Sequence, residues 1–128
     1  MRLLLDTNAL LWSLENSPRL SNPASQALSD PAREKVVSIA SFWEITIKVS
    51  INKLVLSESP DELLARFEQN RLATILPIRF GHLRVLRGLP HHHKDPFDRM
   101  IVSQALADEL TLVSSDEALD DYGVRRLW

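Results

Sequence analysis

Short apolar segments that each lead into a helix-forming segment constrain the fold of this chain most strongly. Arg2 to Asp6, Val36 to Ala40 and Leu112 to Ser114 have the leucine-rich or β-branched character of buried strands. Strands that alternate with helices are joined by right-handed crossovers and form a parallel sheet that is covered on both faces. We therefore predict the α/β class, as a three-layer α/β/α sandwich with a central, mainly parallel sheet.

The other segments continue this alternation. We predict helices over 9–14, 21–28, 41–51, 59–71, 80–87 and 96–110, strands over 73–78 and 124–128, and a helical turn over 117–121. Because the chain contains no repeat, linker or low-complexity tract, we expect one domain over residues 1–128.

The composition excludes several classes of protein. The 128 residues include no cysteine, which rules out disulfides, thiolate zinc sites and cysteine nucleophiles. No apolar run approaches the roughly 18 residues that span a bilayer, and the start lacks the long apolar run of a signal peptide, so we expect a cytoplasmic protein that does not act at a membrane. The net charge of −2 argues against nucleic-acid coating by bulk charge.

Five acidic residues, Asp6, Glu44, Asp95, Asp98 and Asp116, lie where predicted strands give way to helices. In a parallel sheet these turns open onto one crevice at the carboxyl ends of the strands. Carboxylates held that close repel one another, and a hard divalent cation such as Mg²⁺ or Mn²⁺ removes the penalty. The pattern therefore predicts a metal site that acts on a phosphate-bearing substrate.

Helix capping offers a simpler explanation for most of these acids taken singly. The sequence from Ser41 to Glu44 matches a capping box. Asp95 can cap a helix that begins at a proline, Asp98 can complement that helix's dipole, and Asp116 can cap the last helical turn.

Asp6 is not explained so easily. It ends an apolar strand, where a charge is costly unless it meets a partner or water. The neighbouring Thr7 or Asn8 could cap the next helix in its place. Capping explains the acids one by one, whereas a metal site explains why they should converge.

Four sequence blocks contain the candidate acids. They are Leu3-Leu4-Leu5-Asp6-Thr7-Asn8-Ala9, Ser41-Phe42-Trp43-Glu44-Ile45, Asp95-Pro96-Phe97-Asp98-Arg99 and Leu112-Val113-Ser114-Ser115-Asp116. These blocks closely resemble the PIN-domain ribonucleases, and among these the VapC-like toxins of bacterial VapBC toxin–antitoxin pairs. They occur in the family's order and spacing over essentially the whole chain.

The resemblance implies a metal-binding and catalytic quartet of Asp6, Glu44, Asp98 and Asp116 around Mg²⁺ or Mn²⁺. Asp6 and Asp98 would be the most direct ligands, and Glu44 and Asp116 would complete the shell, partly through water. Asp95 stands outside the quartet, as a cap or as a residue that supports the ligands from behind. Thr7, Asn8 and Ser114 would orient carboxylates or water.

The resemblance also implies a function. The chain would be a Mg²⁺/Mn²⁺-dependent endoribonuclease toxin that hydrolyses RNA through metal-activated water, without a covalent nucleophile. A cognate antitoxin would inhibit it, a homodimer is expected, and promoter DNA would be contacted only through the antitoxin.

Histidines and basic residues cluster just before the third acidic block. His91, His92 and His93 are candidate general acids or zinc ligands, but three adjacent side chains cannot easily face one ion, and an exposed loop is the favoured interpretation. The segment 69–94 contains no Asp or Glu but has five basic residues and four histidines, so it is either an RNA track or a solvated helix face. The basic residues are Arg71, Arg79, Arg84, Arg87 and Lys94.

Six further residues have less specific roles. Lys48 lies one helical turn beyond Glu44 and is expected to pair with it or with substrate, and Arg99 is expected to serve a salt bridge or a phosphate. We expect mainly core positions for four apolar residues, some of which would line an antitoxin groove. These four are Leu11, Trp12, Phe42 and Trp43.

Three other functions remain to be compared. A non-catalytic PIN-like interaction module and a DNA-directed nuclease with the same metal site are both compatible with the sequence. A phosphoacceptor receiver domain needs a lysine near its final strands, and no lysine follows Lys94, so we discount it.

Overall fold

The computed structural model describes residues 2–70 and 72–128, which form a five-stranded parallel sheet. The strands are β1 (Arg2–Leu5), β2 (Glu34–Ser38), β3 (Thr74–Leu76), β4 (Thr111–Val113) and β5 (Arg126–Leu127). The helices are α1 (Thr7–Leu14), α2 (Asn22–Ser29), α3 (Ile39–Ser50), α4 (Pro60–Asn70), α5 (Phe80–Gly88), α6 (Pro96–Ala107) and a 3₁₀ helix (Glu117–Tyr122). The strand order is β3-β2-β1-β4-β5, and all four pairings are parallel.

The central strand β1 supplies side chains to two separate apolar layers. Leu3 and Leu5 pack in a cluster that includes Phe67 of α4, whereas Leu4 belongs to a second cluster that includes Ile101 of α6. Successive side chains of a strand point to opposite faces of the sheet, so helices cover both faces. The predicted three-layer α/β/α architecture is confirmed.

The start of α3 differs from the prediction in a way that matters for the site. The strand β2 ends at Ser38, whose Oγ accepts the backbone N–H of Ala40 at 3.0 Å and caps the helix. Ile39 and Ala40 are therefore helical, although their side chains suit a strand equally well. Glu44 then lies in the second turn, too far along for the predicted capping box with Ser41, and that alternative is wrong.

The boundaries of the other elements differ from the predicted ones by one to three residues. The helix α6 ends at Ala107, short of the predicted residue 110, and β3 occupies only the middle of the predicted 73–78 segment. The helix α4 is described as far as Asn70, and the predicted end at Arg71 lies outside the described residues. Within the described residues, none of the helices has the length and apolarity to span a bilayer.

The four apolar residues expected in the core divide into three groups. Phe42 is buried as predicted, and Leu11 and Trp12 are partly buried. Trp43 is 56% exposed, so its assignment to the core is wrong. Trp43 shares α3 with a second exposed apolar residue, Ile47, and the exposed Ile51 directly follows the helix at the same interval of four.

Candidate metal centre

The four predicted acids lie at the carboxyl-terminal edge of the sheet, where β1 and β4 are neighbours. Asp6 directly follows β1, and Asp116 lies three residues beyond the end of β4. Glu44 lies in the second turn of α3 and Asp98 in the first turn of α6, and these two helices contact each other. The structure therefore brings four side chains that span 110 residues of sequence into one region.

Asp6 is a buried carboxylate with two fixed partners. Its Oδ1 accepts the backbone N–H of Ala9 at 2.8 Å, so Asp6 itself caps α1, although Thr7 or Asn8 could have done so. Burial raises its pKa above the ordinary value; hydrogen bonds from Ser114 and Ala9 act in the opposite direction, and the charges of Glu44 and Asp116 raise it further. Ser114 orients this carboxylate as predicted.

Glu44 is held at both carboxylate oxygens. Thr7 Oγ1 donates to its Oε1 at 2.6 Å, and Lys48 Nζ lies 2.6 Å from its Oε2. The pKa of Lys48 is raised, first by the hydrogen bond to Glu44 and then by the charges of Glu44, Asp95 and Asp98. The predicted pairing of Lys48 with Glu44 and the predicted role of Thr7 are confirmed. Asn8 is exposed and has no side-chain hydrogen bond to the described residues, so its role stays a prediction.

Asp98 has the most strongly perturbed carboxyl group of the site. Its pKa is raised from 3.8 to about 7, mainly by burial, and further by the negative charges of Asp95, Asp6 and Glu44. The nearby His93 has the opposite effect. These causes show that the acids lie close enough to repel one another, as a shared cation site requires.

Asp95 and Asp116 each cap a helix, although the acids of the site also lie close together. Asp95 Oδ1 accepts the backbone N–H groups of Phe97 and Asp98 at 2.8 and 3.1 Å, which confirms its role as a cap of α6. Asp116 Oδ1 accepts the N–H of Ala118 at 3.1 Å and caps the 3₁₀ helix. The second oxygen of Asp116 remains directed at the site.

His93 is a site residue that the sequence analysis assigned to an exposed loop. Its Nε2 lies 3.1 Å from Asp116 Oδ2 and 3.5 Å from Asp98 Oδ2, and one ligand atom from each of the three residues lies within 4.8 Å of the others. His91 and His92 are exposed, as predicted for a loop. The prediction is wrong for His93 alone. Its position two residues before a helix cap was the available signal.

Arg99 has contacts that the sequence analysis did not predict, and its predicted phosphate contact stays a prediction. It is buried, and its guanidinium donates to the carbonyl oxygens of Leu89 and Pro90 and to the hydroxyl of Tyr122. No salt bridge to an acid is found for it among the described residues. The first helical turn of α6 thus directs Asp98 into the site and Arg99 into the loop behind it.

The residues present fit a hard divalent cation. Carboxylate oxygens are the donors that Mg²⁺ and Mn²⁺ prefer. The pKa values of Asp6 and Asp98 are raised first by burial and then by the charges of neighbouring acids. Among the described residues, the only cationic side chain within ion-pair distance of Glu44 is Lys48, which is 44% exposed. A bound cation would relieve the remaining repulsion.

A family model of the PIN domain matches residues 3–124. The chain belongs to the PIN-domain family. This PIN domain also superposes on solved structures over nearly its whole length. One is VapBC2 from Rickettsia felis bound to a promoter DNA fragment, with a TM-score of 0.71, 15% identity and coverage of 98% of this chain and 97% of that chain.

Two further complexes give similar values. DNA-bound VapBC from Salmonella typhimurium has a TM-score of 0.67 at 19% identity and covers 98% of this chain and 96% of that chain. FitAcB from Neisseria gonorrhoeae has a TM-score of 0.66 at 20% identity, with coverage of 97% and 95%. At these identities the likeness establishes the fold of this PIN domain. A comparison with curated proteins found no match.

Proposed function

We propose that this PIN domain is a Mg²⁺/Mn²⁺-dependent endoribonuclease that acts as the toxin of a toxin–antitoxin pair. The observation that carries the proposal is the convergence of Asp6, Glu44, Asp98 and Asp116 at one edge of the sheet, with the pKa values of Asp6 and Asp98 raised. The PIN family and the VapBC and FitAcB neighbours support it. Location in the cytoplasm stays a prediction.

The contacts suggest different roles for the four acids. Asp6 and Asp98 would hold the cation directly, and Asp116 would do so through the oxygen that does not cap the 3₁₀ helix. Both oxygens of Glu44 already have partners at 2.6 Å, which favours a role through water for this residue. When bound, the cation would activate water and polarise a phosphoryl oxygen.

Substitution of Asp6 by Asn tests the nuclease directly. Single-stranded RNA and DNA oligonucleotides of the same sequence are incubated with the purified chain, with Mg²⁺, Mn²⁺ or EDTA. We expect RNA cleavage that requires the cation and falls about 100-fold or more in Asp6→Asn, because the amide cannot ligate as an anion. The exposed Asp61→Asn on α4 serves as the control and should retain full activity.

Each rival function gives a different result in that assay. Preferential DNA cleavage that needs Asp6 would favour the DNA-directed nuclease. Cleavage of neither polymer would favour the non-catalytic interaction module. Cleavage of RNA that survives Asp6→Asn would contradict the site itself.

The RNA track is supported by only part of the segment first considered. Arg79, Arg84, Arg87 and Lys94 are exposed, whereas Arg71 lies outside the described residues. His82 does not belong to the track, because it is buried and its Nε2 lies 3.0 Å from Asp108 Oδ2. A cavity lined in part by Leu86, His93 and Lys94 adjoins both α5 and the acidic site.

Replacing Arg84 and Arg87 together by Ala should weaken RNA binding without unfolding the protein, since both side chains are exposed. Each lost phosphate contact should reduce the slope of log K against log salt by roughly 0.7 for a single strand. Fluorescence anisotropy at several salt concentrations, in an Asp6→Asn background that leaves RNA uncut, measures both effects. Unchanged affinity and slope would assign these arginines to a solvated helix face.

Two surfaces support the proposed protein partners. A cavity of about 350 Å³ lies between α1 and the segment before α4, lined by Leu11, Leu14, Val55, Leu63 and Arg66 among others, and would accept an antitoxin segment. The exposed apolar surface formed by Trp43 and Ile47 of α3 and by Ile51 at the end of that helix supports the proposed homodimer. DNA would be bound through the antitoxin only. A small neighbouring gene that encodes a DNA-binding start and a basic tail would support this role.

A further inference from the structure

The loop between α5 and α6 is fixed by buried polar groups on both sides of its histidines. Arg99 Nη1 donates to Pro90 O at 2.7 Å, and Arg99 Nη2 donates to Leu89 O at 3.1 Å. The Tyr122 hydroxyl accepts from Arg99 Nη1 at 3.2 Å and from the backbone N–H of His93 at 2.7 Å. The backbone at His93 is therefore held in one place relative to α6 and the 3₁₀ helix.

The His93 ring has defined partners at both nitrogens. The backbone nitrogen of Asp95 lies 3.2 Å from Nδ1, while Nε2 faces Asp116 Oδ2 and Asp98 Oδ2 at 3.1 and 3.5 Å. A backbone N–H can only donate, so Nδ1 must be the acceptor. In this tautomer the ring proton is on Nε2 and points at the two carboxylates.

The position of the ring proton decides whether Nε2 of His93 can donate a hydrogen bond or ligate a metal. A ligating imidazole presents a bare lone pair to the ion, and its other nitrogen donates to a carbonyl or carboxylate. At His93 the other nitrogen faces a donor, which is the reverse arrangement. The proximity of His93, Asp98 and Asp116 therefore does not make His93 a third ligand.

We propose that His93 is a positioning residue, whose imidazole holds the Asp116 carboxylate for the cation through its Nε2–H. Asp116 Oδ1 is fixed by the N–H of Ala118, and His93 fixes Oδ2. Each carboxylate oxygen has two lone pairs, so Oδ2 can accept this bond and still bind a cation. The inference rests on the proposed cation site but requires no RNA cleavage.

Cation affinity tests the proposal without reference to nuclease activity. Isothermal titration with Mg²⁺ and Mn²⁺ should show affinity about 10- to 100-fold lower in His93→Ala, the usual cost of losing a group that orients a ligand. In His93→Gln the side-chain amide can replace the Nε2–H, so most of the affinity should return. The exposed neighbour His91→Ala is the matched control and should bind as the wild type does.

The ring tautomer provides a second, spectroscopic readout. Long-range ¹H–¹⁵N NMR of the His93 ring should show the Nε2–H form both in the metal-free protein and with Mg²⁺ bound. A proton that moves to Nδ1 when Mg²⁺ binds would make His93 a ligand and overturn the proposal. Three results of the titrations would also overturn it. These are a cation affinity as low in His93→Gln as in His93→Ala, an affinity unchanged in both variants, and a wild type that binds neither cation.

The two proposals can fail separately. A protein that binds Mg²⁺ through a His93-dependent site but cuts no RNA would overturn the nuclease and leave the role of His93 intact. RNA cleavage together with Mg²⁺ affinity that is unaffected by His93→Ala would support the nuclease and overturn the role of His93.

Discussion

Replacing Asp98 by Asn is expected to make the metal-free protein more stable at pH 8 and to abolish its stabilisation by Mg²⁺. The pKa of Asp98 is raised from 3.8 to about 7, first by burial and then by the charges of Asp95, Asp6 and Glu44. Above pH 7 the folded protein must hold this unfavourable anion, whereas the unfolded chain exposes it to water. A neutral amide removes that cost.

The sign of the pH dependence follows from proton binding. Between about pH 4 and 7 the folded wild type binds more protons at Asp98 than the unfolded chain does, so its stability falls as pH rises through this window. The wild type should therefore be about as stable as Asp98→Asn at pH 4, and the difference in their free energies of unfolding should reach its full size above pH 7. Because the side chain is 26% exposed, we expect a difference of only about 1–2 kcal/mol.

Urea unfolding in EDTA at pH 4 to 8 measures this difference. Asp61→Asn on α4, which alters an exposed acid outside the site, should stay within about 0.5 kcal/mol of wild type at every pH. If Asp98→Asn were less stable than wild type at pH 8, or if the difference were the same at pH 4, the repulsion inferred at this site would not exist.

When Mg²⁺ is added, Asp98→Asn should change from more stable than wild type to less stable. A cation that binds only the folded protein stabilises it by RT ln(1 + [Mg²⁺]/Kd), so the wild type should gain stability as Mg²⁺ rises. Asp98→Asn should gain little, and its RNA cleavage should fall by about 1000-fold, since the lost ligand supports several kcal/mol of transition-state stabilisation. Equal stabilisation by Mg²⁺ in both proteins would place the cation elsewhere.

The features predicted correctly from the sequence are those determined by strands. In a parallel sheet the strands are buried on both faces, so Leu3 to Leu5 and Leu112 to Val113 read as continuous apolar runs whose ends can be located. Asp6 and Asp116 follow these ends, and their convergence could be inferred. The start of α3 could not be inferred, because Ile39 and Ala40 suit a strand or a helix. The hydrogen bond from the Ala40 N–H to Ser38 Oγ begins the helix there.

The features that were missed depend on contacts between distant parts of the chain. Successive residues on a helix point about 100° apart, so Arg99 turns away from the site that Asp98 faces. Its partners, Leu89, Pro90 and Tyr122, lie nine or more residues away. The inward turn of His93 depends on the same contacts, and local sequence does not reveal which of three adjacent histidines will be held there.

Arg99→Met is therefore expected to destabilise the protein by about 3 kcal/mol, since it removes hydrogen bonds from a buried charged donor and leaves the partner carbonyls to find new ones. Met keeps much of the side chain's apolar volume, so the loss should reflect the lost donors. Urea unfolding at pH 7 measures it, and the exposed Arg84→Met on α5 should change stability by less than about 0.5 kcal/mol.

The variant also separates loop anchoring from the phosphate contact that sequence position suggested for Arg99. Loss of anchoring should release His93 and lower Mg²⁺ affinity in the absence of RNA, and Arg99→Lys should restore little, because one ammonium cannot reach the two carbonyls and the hydroxyl in the geometry of the guanidinium. A phosphate contact would instead leave stability and Mg²⁺ affinity unchanged and weaken only RNA binding. That second pattern would mean that the loop is held without Arg99.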